Sequence, residues 1–124
     1  MILNAHKRSA GMSAVLASVL LAAAVPTGAA DAPVGDIEAG KAVANDRAKG
    51  NCVACHMIPG AQAPGTIGPA LVAMKARFPD PAKLHAQIYD STVANPQSAM
   101  PPFGRNRLLT EKELNDLTAY IWSL

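Results

Sequence analysis

The chain has 124 residues, half of them hydrophobic, with eleven Lys and Arg against nine Asp and Glu. That is room for one small domain. Ten prolines and nine glycines imply long irregular stretches, and a domain of this size gains stability from a staple or a bound cofactor. His6, Lys7 and Arg8 precede an uncharged apolar run from Met12 to Val25, and small residues follow in "PTGAADA". This is the layout of a cleavable export signal, cut after Ala30, with Ala32 as the alternative. The apolar run is shorter than the roughly 18 to 20 residues that span a bilayer. Removing Lys7 and Arg8 with the leader leaves nine basic and nine acidic residues. A neutral mature chain without a basic tract excludes a nucleic-acid binder and strong long-range electrostatic steering.

The first helix is predicted over "DIEAGKAVANDRAKG", opening at Asp36 and stopping at Gly50, with a small-sided stripe of Ile37, Gly40, Ala44 and Ala48. "CVACH" follows, holding Cys52 and Cys55, the chain's two cysteines, and His56. A disulfide between these thiols would close a very short loop and stabilise little. A redox pair expects a βαβ setting that the sequence lacks. A zinc site drawn from Cys52, Cys55, His56 and His85 would strain to form a tetrahedron from adjacent ligands. The spacing suits covalent attachment of one haem c. Thiols three apart face one way on a helical turn and reach two vinyl groups along one porphyrin edge, while His56 turns its imidazole to the iron.

Beyond the motif, "GTIGPAL" offers the Pro69 carbonyl as acceptor for the second ring nitrogen of His56, or as a helix start. Met57, Ile58, Pro59, Ala61, Ala63 and Pro64 form an uncharged stretch, either an interface patch or a loop covering the haem. Leu71, Met74 and Phe78 fall at helical spacing and read as core. Asp80 caps a helix with Pro81 at its first position and Leu84 and Ile88 on its buried face, which leaves His85 a solvated or partly packed neighbour.

A second axial ligand is sought on the iron's other face, and His with Met is the pairing that raises the potential. Met57 lies beside His56 and cannot reach. Met100 stands in "NPQSAMPPFG", where Pro96, Pro101 and Pro102 fix the backbone, and is the candidate. The last helix opens at Thr110 with Glu113 completing a capping box. Leu114, Leu117, Tyr120, Ile121 and Leu124 form its apolar face. Tyr120 is expected over Gly40 where the first and last helices cross, and Trp122 at the haem pocket's edge or half exposed.

In this order the residues resemble class I cytochrome c. "GNCVACHMIPGAQAPGTIGPAL", "FPDPAKLHAQIYD" and "NPQSAMPPFGRNRLLTEKELNDLTAYI" are similar to the SoxX family, monohaem subunits of bacterial sulfur-oxidising systems. The resemblance implies an all-α class I cytochrome c fold over residues 31–124, its terminal helices crossing around one haem. By position, Cys52 and Cys55 would tether that haem, with His56 and Met100 as axial ligands. It further implies a periplasmic heterodimer with the cytochrome subunit SoxA, together an L-cysteine S-thiosulfotransferase (SoxAX). That complex couples thiosulfate oxidatively to a cysteine of the carrier SoxYZ and releases two electrons. The catalytic haem, ligated by cysteine, belongs to SoxA. This chain has no third cysteine, so its part would be to relay electrons to a downstream periplasmic cytochrome. The rival functions are a free-standing periplasmic electron carrier, and a haem enzyme or gas sensor with an open iron position.

Overall fold

Asp36 sits in extended backbone and accepts the Ala39 amide on its carboxylate, opening helix α1 (Ile37–Asn45). The computed structural model describes residues 33–124, so the expected leader at 1–30 and its cleavage site lie outside the described residues. After α1 come a single 3₁₀ turn (Cys52–Ala54), the one-turn helix α2 (Met74–Arg77), α3 (Pro81–Tyr89) and α4 (Glu111–Ser123). The described residues contain helices and turns and no strand, the all-α architecture that the sequence implies.

Helix α1 ends at Asn45, not at Gly50. Asp46 turns into extended backbone, and its carboxylate takes the Ala48 amide at 2.8 Å. A short acidic side chain that bonds its own downstream backbone competes with helix propagation. The Lys49 and Asn51 amides then fold back on the Asp46 carbonyl. The buried face of α1 is accordingly Gly40, Val43 and Ala44, whereas Ile37 and Ala48 are exposed.

The most extensive helix contact is between α1 and α4. A Cβ added at Gly40 would collide with the Asp116 carbonyl and come within 2.9 Å of the Tyr120 Cβ. The expected crossing is therefore present, and it is tighter than a side-chain contact, because backbone meets backbone. Asp116 adds a polar tie that periodicity does not reveal. Its carboxylate accepts the Asp36 amide at 2.9 Å and the Lys112 ammonium at 2.6 Å, although Asp116 itself is buried. The α4 cap forms as the sequence predicts, with Thr110 and Glu113 bonding reciprocally. Asp80 caps α3, Pro81 opens it, and Leu84 and Ile88 are buried. Met74 is 1% exposed and belongs to the core, with Leu71 and Phe78 packed against it.

Candidate cofactor site

A cavity of about 660 Å³ opens beside the Cys52–Ala54 turn, within the range of small-molecule and cofactor sites. Cys52, Cys55 and His56 line it, and so does Met100 from the loop between α3 and α4. Leu71, Phe78, Leu84, Ile88 and Leu117 give it apolar walls. The two thiols are free rather than joined as a disulfide. Burial pushes the Cys52 thiol up to about 11, which keeps it neutral near pH 7.

The geometry of the motif turn is set by its neighbours. Asn51 adopts a left-handed backbone at φ 46° immediately before Cys52. The Cys55 and His56 amides both donate to the Cys52 carbonyl, which brings the two thiols and the imidazole onto one turn. The segment from Gly65 to Leu71 is laid alongside. The Gly65, Gly68 and Leu71 amides donate to the carbonyls of Val53, Cys55 and Met57, each at 2.8 Å. His56 Nδ1 donates to the Pro69 carbonyl oxygen at 2.7 Å, leaving Nε2 as the nitrogen free to ligate.

Gly68 lies against the face of that imidazole. A Cβ there would stand 2.6 Å from Nδ1 and 2.9 Å from Nε2. Sequence reasoning passed over Gly68, although its place beside Pro69 was the available signal. Ile67 and Leu108, 78% and 50% exposed, also line the cavity and were missed, because neither lies on a periodic segment.

Other sequence candidates fall elsewhere. Met57 is exposed and does not line the cavity. Met74 does line it, but its sulfur accepts the Arg77 guanidinium at 3.3 Å. His85 is partly packed, its ring stacked on Tyr89 and its Nε2 3.6 Å from a Glu111 carboxylate oxygen. Trp122 stays away from the cavity; its Nε1 donates to the Phe78 carbonyl and the Lys75 ammonium stands over its ring. Ile58, in the stretch read as either an interface patch or a covering loop, is 1% exposed and part of the core. It alternates with exposed Met57 and Pro59, so the chain turns its one large aliphatic side chain inward there.

A cavity lined by two thiols on one turn, a hydrogen-bonded imidazole seated on glycine, and a thioether suits a haem. Fold and site together define a c-type cytochrome. The chain belongs to the family described as cytochrome c oxidase, cbb3-type, subunit III, which it matches over residues 35–121. It is similar to a chain of the crystal structure of SoxXA from P. pantotrophus, with a TM-score of 0.64 and 26% identity, over 72% of this chain and 81% of that one. An uncharacterized lipoprotein of Aquifex aeolicus (strain VF5) is 40% identical over 74 residues, 59% of this chain and 36% of that protein. The chain thus spans about a third of the length of that curated relative. Among the described residues no helix is long and apolar enough to cross a membrane.

Proposed function

We propose that this protein is the electron-relaying haem subunit of a SoxAX-type complex, exported to the periplasm. One haem c would be held covalently through Cys52 and Cys55, and His56 and Met100 would ligate its iron. The observation that carries the reading is the meeting of "CVACH" and Met100 on one cavity, in a chain whose fold is shared with SoxXA.

The haem supplies reversible one-electron chemistry. The protein's residues tether it, orient it and keep water from it. The Pro69 carbonyl holds the His56 proton on Nδ1, which fixes the ring and raises the basicity of Nε2. The thioether of Met100, as the second ligand, would favour the ferrous state and so a raised potential. Leu84, Ile88 and Leu117 line the cavity without offering a proton donor. With His56 and Met100 both as iron ligands, the site would pass electrons and would offer no iron position to a substrate. Its partner would be SoxA, whose cysteine-ligated haem performs the coupling of thiosulfate to the SoxYZ cysteine. The two electrons released would leave through this chain to another periplasmic cytochrome.

The test is an affinity pull-down of the tagged protein from the periplasm of thiosulfate-grown cells. A second, larger cytochrome bound in equal amount is the expected result, and its absence would refute the partnered reading. The alternative is a free-standing carrier that hands electrons to a terminal oxidase or reductase without a dedicated partner. That carrier would come down alone and still show the His/Met spectrum.

A further inference from the structure

Ser91 is 0% exposed, in the turn that follows α3. A hydroxyl so buried needs a partner, and Ser91 Oγ donates to the Met100 carbonyl oxygen at 2.8 Å. Met100 packs against the core, but its backbone has few other ties. Pro101 and Pro102 follow it and have no amide to donate. Its own amide reaches only the Ser98 hydroxyl, at 3.2 Å.

The loop that bears Met100 is closed at a neck formed by three consecutive residues. The Tyr89 carbonyl accepts the Gly104 and Arg105 amides at 3.1 and 3.3 Å. Asp90 pairs with Arg105 at 2.9 Å. Ser91 is bonded to Met100. Between the ends the chain is largely solvent-facing, with Val93 81% exposed. Of the three ties, only the one at Ser91 grips a residue that lines the cavity.

We infer that Ser91 is a positioning residue for Met100: its hydroxyl shuts the loop and holds the Met100 backbone so that the thioether stays at the cavity. The inference rests on Met100 being an axial ligand, as proposed above. An added base such as imidazole can take the iron position only in molecules from which Met100 has withdrawn. Its apparent affinity therefore reports the open fraction. Losing one buried hydrogen bond of ordinary strength would raise that fraction about five- to tenfold.

The experiment titrates imidazole into the ferric holoprotein, native and as Ser91→Ala, Val93→Ala and Met100→Ala. The weak near-infrared band of sulfur-to-iron ligation is followed throughout. Ser91→Ala is expected to keep the band before imidazole is added, to bind imidazole about five- to tenfold more tightly, and to release Met100 faster at saturating imidazole. Val93→Ala, at the exposed part of the same loop, is expected to behave as native. Native-like imidazole binding by Ser91→Ala, with the band lost in Met100→Ala, overturns the role of Ser91 and leaves ligation standing. Equal tightening in Val93→Ala also overturns it. A band that survives in Met100→Ala sinks the ligand assignment itself.

Discussion

A methyl group at Gly68 would fall on the His56 imidazole, with Nδ1 at 2.6 Å. The ring is already anchored to the Pro69 carbonyl, and the Gly68 amide is anchored to the Cys55 carbonyl at 2.8 Å. Neither partner can yield without breaking a hydrogen bond. Gly68→Ala is therefore expected to cost about 1–3 kcal/mol. In a domain of this size that lowers the melting temperature by about 4–8 °C per kcal/mol, and the reduction potential shifts as the imidazole tilts. Thermal unfolding followed by circular dichroism, with a potentiometric titration, checks both; native values in both would contradict the contact. The pairing of His56 with Pro69 was legible because a ligating imidazole needs an acceptor and a Gly-Pro corner supplies one. The seat provided by Gly68 was not, since it depends on how closely two loop segments approach.

Among the elements, the clasp of α1 and α4 carries the most consequence. Gly40 admits the α4 backbone at Asp116 and the Tyr120 Cβ. Gly40→Leu would have to push the helices apart, at a cost on the order of 3 kcal/mol and about 12–24 °C in melting temperature. An unchanged melting curve would refute the crossing.

A second link joins the chain just past α1 to the start of α4. The Lys49 ammonium, hydrogen-bonded to Glu113, acts with the Thr110 amide and hydroxyl to hold the Glu113 carboxyl at about 2, against an ordinary 4.5. A carboxyl lowered in the folded state stabilises it above the ordinary value, and the contribution is lost as pH falls toward the folded one. The stability difference between the native protein and Glu113→Gln should thus be full above pH 4.5 and close as pH approaches 2. Denaturant unfolding at stepped pH measures it, and a difference constant across that window would remove the link. Caps, apolar faces and the small residue at the crossing could all be read from spacing. The early end of α1 and the buried Asp116 could not, because a side chain's choice between its own backbone and a distant helix is settled only in the folded chain.

For the whole molecule, what was legible follows the periodic segments. The order of helices, the motif turn and the proline-rich loop were all visible in the sequence. The stretches from Met57 to Ala73 and from Ser91 to Leu109 are largely aperiodic. Burial there follows tertiary contact, so Ile58 went into the core, Ile67 and Leu108 came to the cavity, and Ser91 went unnoticed. The same aperiodic stretches hold much of the cavity wall.

The loop bearing Met100 leaves and rejoins the fold at one narrow waist, residues 89–91 facing 100–105. A loop pinned in that manner has its own local opening equilibrium, separate from the clasp of α1 and α4. If Met100 is the ligand proposed above, access of small intruding molecules is set at this waist, and a change there need not disturb the clasp that holds the helices together.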